Sequence, residues 1–467
     1  MFEEVDIYID GGTIIPVDPE RKIIRDGSIA LNKGLILDLG KRIELKNKYK
    51  ARKLINAAGK LVMPGFINAH IHFCTHLHKG FLPEYLSGSE WVAQAFDIKE
   101  IISPEEEIWA ARAVLIETLK NGTTCFGEAG ALFPESTIEG IKELGMRGRV
   151  GQWRGDRISE VLKSKVNGEL HYKQQESETE KVIRMNEDFL NKYQGGWENG
   201  RIKPWVTLIG SRMASEELLR ESKRMADKYN TLLCLHQSAY IDEVKRARKK
   251  TGKRPIAWLE DLGVLGPNVL LVHMVVVDDT EIKILKDYDV KVVHCPTTAL
   301  KLVYGLSTFG KFVEMTNAGI TVALGSDASD CSNHHDMIRI LNLPALLFKD
   351  FRLDAYAMTA EKAIEMATVN GAKAMGWERD IGSLEKGKKA DLIILDMKKP
   401  EWIPLHNEIQ NLVYSASGDS VETVIIDGKI VMEEKVVQNM DEAEVLAKVQ
   451  ESGEKLLKRI ERPIAIH

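Results

Sequence analysis

Four histidines and one aspartate stand where a chain would gather ligands for a metal ion. His70 and His72 lie two apart in GFINAHIHF, a run with the alternation of a β-strand, so both imidazoles leave the same face. His236 closes TLLCLH, His273 closes NVLLVH, and Asp327 follows ITVALGS. Imidazoles and a carboxylate converging from separate strand ends suit one divalent ion per chain, Zn²⁺ foremost, with Fe²⁺ or another transition metal also fitting, at a site that keeps a water. Such an ion draws the pKa of its water toward neutrality; Asp327 can accept the proton, and His273 can orient the hydroxide or ligate the ion. Because the donors must be deprotonated, activity is expected to fall in mild acid. A single histidine at a strand end is ordinarily a structural, hydrogen-bonded group. Five such points in this order argue for a metal site instead.

The elements that must position these residues follow a clear rhythm. From about residue 58, short β-rich runs alternate with helix-period segments: GFINAHIHF, TTCFGEA, RGRVGQW, KPWVTLIG, TLLCLHQSA, NVLLVHMVV, VKVVHCPTT and ITVALGSDA. Eight such runs predict an α/β protein built on a (β/α)8 TIM barrel over 58–387, whose C-terminal strand ends carry the site. No G-x-G-x-x-G follows the first run, which argues against a doubly wound dinucleotide fold. Residues 1–57 and 388–436 read as short strands with Gly, Asn and Asp turns, predicting a small β-sandwich built from both chain ends. Residues 437–467 form a charged amphipathic helix, expected to pack on the surface or on a second subunit. The polar stretch 157–200 is either a cover over the barrel mouth or an ordinary exposed helix pair.

The segments PGFINAHIH, NGTTCFGEAG, LHQSA, LLVHMVVVDDTEI, VVHCPTTALKL, GITVALGSDASDCSNHHDM and GSLEKGKKADLIILD resemble the amidohydrolase superfamily over nearly the whole chain. They look most similar to its branch of cytosine, guanine and methylthioadenosine deaminases and atrazine-type triazine chlorohydrolases. The resemblance implies that His70, His72, His236 and Asp327 bind one ion, that His273 ligates it or holds the attacking hydroxide, and that His294 faces the substrate. In that branch a glutamate three residues after the strand-five histidine protonates the substrate ring; here that position is Ala239, and Glu243 falls at the start of the next helix. Where the deaminases often carry a strand-four histidine this chain reads IGSRMAS, so Arg212, or Arg154 in GQWRGD, is the candidate to polarise a carbonyl or ring nitrogen. His76, His78, His334 and His335 lie on the loops after the first and eighth strands and are candidates for the missing proton donor.

These observations predict a hydrolase that cleaves a C–N bond, or a related C–Cl, amide or urea-type bond, of a small heterocyclic or carbonyl substrate. A deaminase with a replaced proton shuttle is one alternative, and a barrel that binds a metal and a small molecule without turnover is another. A dinuclear site needs a carboxylated lysine on strand four, and Lys203 lies at the wrong end of KPWVTLIG. The net charge of −5, from 64 Lys and Arg against 69 Asp and Glu, contains no long like-charged block, so no nucleic-acid or membrane partner is expected. The five scattered cysteines fit a reducing cytoplasm. By analogy with other such barrels, a homodimer or higher homo-oligomer is expected.

Overall fold

The computed structural model describes residues 2–86, 88–157 and 179–460. Five strands open the chain: β1 (Glu3–Ile14), β2 (Ile24–Asn32), β3 (Leu35–Lys41), β4 (Tyr49–Asn56) and β5 (Lys60–Pro64). The barrel strands follow as β6 (Phe66–His72), β7 (Thr123–Ala131), β8 (Arg147–Gln152), β9 (Ile202–Pro204), β10 (Val206–Leu208), β11 (Leu233–Gln237), β12 (Val269–His273), β13 (Lys291–His294), β14 (Val322–Leu324) and β15 (Asp327–Ala328). The chain ends with β16 (Leu392–Asp396), β17 (Val421–Ile426), β18 (Lys429–Glu433) and β19 (Val436–Val437).

Two parallel five-stranded sheets, β10-β11-β12-β13-β14 and β15-β6-β7-β8-β9, make the barrel. Its fourth strand is split at Trp205 into β9 and β10, and its eighth is split at Gly325 and Ser326 into β14 and β15. The eight strands are the eight predicted runs. Alternate residues divide between an interior cluster containing Ile67, Ala69, Cys125, Cys234, Leu270, Val272, Val293 and Ala323, and an outer layer of Leu233, Leu235, Leu271, Val292 and Leu324 packed under the helices. Within β6 the pairing with β7 shifts register between Asn68 and Ile71, so the inward set passes from Ile67 and Ala69 to His70 and His72.

The strands from both ends share one sheet, ordered β19-β18-β17-β16-β5-β1-β2-β3, with β4 on the free edge of β1. Ile7, Ile9, Ile29, Leu31, Val62, Leu392, Ile394 and Ile425 form its apolar core. β1 runs on through the Gly11-Gly12 pair, where the sequence predicts short strands with glycine turns; Gly11, at φ 77°, lets the strand bulge and continue rather than turn back.

The helix Pro104–Lys120 starts with a capping box between Ser103 and Glu106. The C-terminal helix Glu442–Ile460 lies against it, held by Lys120 to Glu442 at 2.7 Å and Arg459 to Glu106 at 2.7 Å, with Val445 and Leu456 buried. Its apolar stripe is therefore covered by the protein's own barrel layer. Residues 158–178 of the predicted cover at 157–200 lie outside the described residues; in the rest, the helix Thr179–Tyr193 buries Val182, Phe189 and Leu190. No helix among the described residues is long and apolar enough to cross a membrane.

Candidate metal centre

The barrel strands deliver His70 and His72 from β6, His236 from β11, His273 from β12 and Asp327 from β15 to one floor. His236 follows the inward parity of Cys234. His273 lies one residue beyond inward-facing Val272 and reaches the floor because the chain leaves extended geometry there, at φ 77°. Asp327 likewise sits at φ 63°, just past the break in its strand. Left-handed backbone at non-glycine residues costs on the order of 1 kcal/mol each and persists only where surrounding structure enforces it.

Donor atoms of His70, His72 and His236, and of His70, His273 and Asp327, form two groups, in each of which all atoms lie within 4.8 Å of one another. His72 Nε2 and His236 Nε2 face each other at 3.2 Å, and His70 Nε2 is 3.4 Å from Asp327 Oδ1. Both nitrogens of His70 and the Nδ1 atoms of His72, His236 and His273 are buried without hydrogen-bond partners. Such atoms are costly to bury unless something else satisfies them. A cation among the five donors fits this pattern, because it takes lone pairs that otherwise point at one another.

The electrostatics agree. Burial and the neighbouring His70 push His72 and His236 well below the ordinary imidazole range, and burial pushes His273 down to about 4. Burial alone would raise the Asp327 carboxyl, but His70, His273 and His72 outweigh it and hold it well below the usual carboxylate range. His72, His236, His273 and Asp327 are thus deprotonated near neutrality. The acid limb expected from ordinary histidines moves to lower pH, toward 4 for His273.

Above the floor is a cavity of about 630 Å³, counting open solvent, walled by Trp91, Phe96, Trp153, Tyr240 and Tyr304, with Lys99, Arg212, Glu243 and Ala239 among its lining. The geometry brings Arg212 to this wall, hydrogen-bonded to the Tyr240 hydroxyl. Arg154 is not among the lining residues; its Nη1 bonds the Trp153 carbonyl oxygen at 2.9 Å, and Trp153, one residue earlier, faces the cavity instead. His294 is not among them either. It shares the outward parity of Val292 and stacks on Phe312 at 3.8 Å in the layer beneath the helices.

The four loop histidines also lie outside this lining. His78 Nε2 meets Asp330 Oδ2 at 2.6 Å, both side chains fully buried. His76 Nδ1 and His335 Nε2 flank Ser329 Oγ at 3.0 and 2.7 Å, and His335 Nδ1 meets Ser326 Oγ at 2.7 Å. His334 is only partly buried beside them. Donor atoms of His76, Glu117 and His335 also come within 4.8 Å of each other, but both His335 nitrogens are engaged by serines and Lys79 Nζ lies 3.2 Å from Glu117. These histidines brace the loops instead of serving the cavity.

Sequence reasoning passed over Lys99, Trp153, Tyr240, Tyr304 and Glu128. Glu128 accepts from the Phe73 and Gly130 amides, and its Oε1 stands 4.0 Å from His72 Nδ1, behind the ring. It lies in GTTCFGEAG, and an acid inside a barrel strand was the available signal. Glu243 was placed at a helix start, and it is there, yet its carboxylate also borders the cavity while accepting from the Ser238 and Ala239 amides at 2.9 and 3.0 Å.

Buried neutral histidines make stability depend on pH. Burial pushes His294 to about 3 and His335 to about 4. Their unfolded-state value is about 6.5, so below that pH the unfolded chain takes up protons that the folded chain refuses, and stability falls as pH drops toward 4. From pH 6.5 to 5 the two together are expected to cost about 3 kcal/mol. Urea unfolding at the two pH values checks this; equal free energies would refute it.

Residues 61–431 match the family model described as "Amidohydrolase family". The chain is 31% identical over 455 residues to a 5-methylthioadenosine/S-adenosylhomocysteine deaminase of Acetivibrio thermocellus, covering 97% of this chain and 100% of the relative. It is 31% identical over 460 residues to a 5'-deoxyadenosine deaminase of Methanosarcina mazei, covering 97% and 99%. The fold superimposes with a TM-score of 0.88 on a crystal structure of an adenosine deaminase from Xanthomonas campestris with bound zinc, at 25% identity, covering 98% of this chain and 100% of that one. The converging donor set, the barrel that carries it and these full-length matches agree: the chain belongs to the amidohydrolase family and is a hydrolase of carbon–nitrogen bonds.

Proposed function

We propose that the chain removes an amino group by hydrolysis from a small heterocycle of nucleoside size, using one divalent ion, zinc foremost, held by His70, His72, His236 and Asp327. His273 is either a further ligand or the partner of the attacking water. The observation that carries this reading is the set of buried, unengaged ring nitrogens around Asp327 at the floor of the cavity. A divalent ion supplies Lewis acidity that lowers the pKa of a water toward 7. Asp327, deprotonated in its site, takes the proton of that water as it attacks the ring carbon bearing the amine. His273 donates or accepts a hydrogen bond at the developing oxygen. Tyr240 and the other aromatic side chains of the wall flank the ring and exclude water.

The leaving amine needs a proton, and Ala239 has none to give. Glu243 faces the cavity with its carboxylate engaged by backbone amides, so Asp327 carries the proton from water to the amine itself. Substrates with an easily expelled group suit this arrangement, and a second reading, hydrolysis of an amide, urea or halide, rests on the same Ala239. Assaying zinc-loaded protein for ammonia from aminated purines, pyrimidines, pterins and triazines tests the proposal. Release that stops on chelation and returns with zinc is expected; silence on all rings alongside turnover of amides, ureas or chlorotriazines would sink it in favour of the second reading. Installing the acid by Ala239→Glu is expected to raise ammonia release from a neutral ring about 10-fold or more, measured as kcat.

The five cysteines are all unpaired and buried, which supports a reducing cytoplasm. Exposed Leu346, Leu353 and Tyr356 support pairing of copies, at least as a homodimer.

A further inference from the structure

The cavity carries two cations that no carboxylate meets in a hydrogen bond or ion pair among the described residues. Lys99, at the end of the helix Gly88–Lys99, is only 7% exposed. Its Nζ sits 3.9 Å over the Trp153 ring and 5.6 Å over Phe96, and among the described residues it has no hydrogen bond or ion pair. The Arg212 guanidinium lies 5.3 Å from the Tyr240 ring and bonds its hydroxyl, again with no carboxylate partner among the described residues. The anions facing the same space are committed. Asp327 belongs to the donor set, and Glu243 is saturated by the Ser238 and Ala239 amides and Gln237 Nε2.

The two charges approach the floor from two sides. Trp153, beneath Lys99, packs edge-on against His72 at 5.2 Å. Tyr240, beside Arg212, contacts Tyr304 at 5.7 Å, which packs edge-on against His273 at 5.6 Å. An aromatic face offsets only part of the cost of burying an ammonium, and a guanidinium fork matches a carboxylate. Positive charge held in a walled cavity also concentrates anions there.

We propose that the substrate carries a carboxylate, bound at the cavity wall by Lys99 and Arg212 while its ring lies over the donor floor. This rests on the C–N hydrolase reading above, and it adds the charge class of the molecule that is cleaved. Both residues are positioning and specificity residues: they hold the substrate's anionic arm and so fix which ring carbon meets the water.

The test uses matched pairs in which a carboxylate is replaced by its carboxamide on the same aminated ring: adenosine 5'-carboxylate, pterin-6-carboxylate and 5-carboxycytosine, each against its amide. Binding to the zinc-loaded full chain is measured by calorimetry, and ammonia release separately. At least one carboxylate is expected to bind 10-fold or more tighter than its amide. Lys99→Met and Arg212→Met should each shrink that preference below 3-fold, and Lys99→Arg should keep it. Amides binding as well as carboxylates in every pair overturns the proposal, as does a preference that survives both methionine variants. Carboxylate preference without ammonia release keeps this site and removes the deamination reading. Ammonia release with no preference does the reverse.

Discussion

Asp327→Asn is expected to lower kcat/KM about 10³- to 10⁴-fold, the range that loss of a positioned acid–base group commands. The carboxylate has two tasks that an amide fails differently. As a donor it contributes the negative charge that four neutral imidazoles lack, and as a base it takes a proton from water. Its environment is arranged for the ionised form, with His70 at 3.4 Å and the Ala328 amide at 2.8 Å. An asparagine keeps the shape and loses both functions. Metal content of the variant separates them: near-native zinc with collapsed kcat assigns the loss to proton transfer, and an empty protein assigns it to ligation. Undiminished turnover would remove Asp327 from the chemistry altogether.

The largest effect on stability is expected at a pair that never touches substrate. His78→Ala should destabilise the protein by about 3–5 kcal/mol, because it leaves the fully buried Asp330 without its 2.6 Å partner. The loop after β6 and the segment after β15 are joined through this contact, so its loss loosens the two strand ends that bear His72 and Asp327. Removing both partners together, as His78→Leu with Asp330→Ala, should recover most of the loss, since an apolar pair strands no polar group. Urea midpoints of the three variants decide the matter. A His78→Ala protein within 1 kcal/mol of the parent would show that water satisfies Asp330.

The barrel was legible because its strands alternate and its helices keep their own period. The donor set was legible because a metal demands a few residue types at strand ends. What the sequence hid follows from geometry that crosses the chain. His294 was assigned to substrate by resemblance, although the parity of VKVVH, with Val293 inward, already turns it toward Phe312. Arg154 drew attention as a charge, yet Trp153 beside it, just past the end of β8, is the one that faces the cavity. Lys99 had no signal: a lysine at a helix end is ordinarily solvated, and only the fold shows that this one is closed in by Trp153. The loop histidines were read as acid–base groups because their partners are remote: Asp330 lies some 250 residues from His78, and Ser326, partner of His335, sits in the break of the eighth strand.

The sheet shared by both ends of the chain has a consequence in time. β5 pairs with β16 across roughly 330 residues, Pro64 opposite Leu392. At a ribosomal pace of roughly 5–20 residues per second, β5 emerges about 15–65 s before its partner exists. Throughout that interval its edge is open, in a nascent chain whose barrel is still being made, and an open edge pairs with whatever strand it meets. Residues on that edge, Leu61 to Met63, are therefore where chaperone capture during synthesis should concentrate, and where a slowly translated message would show its cost first.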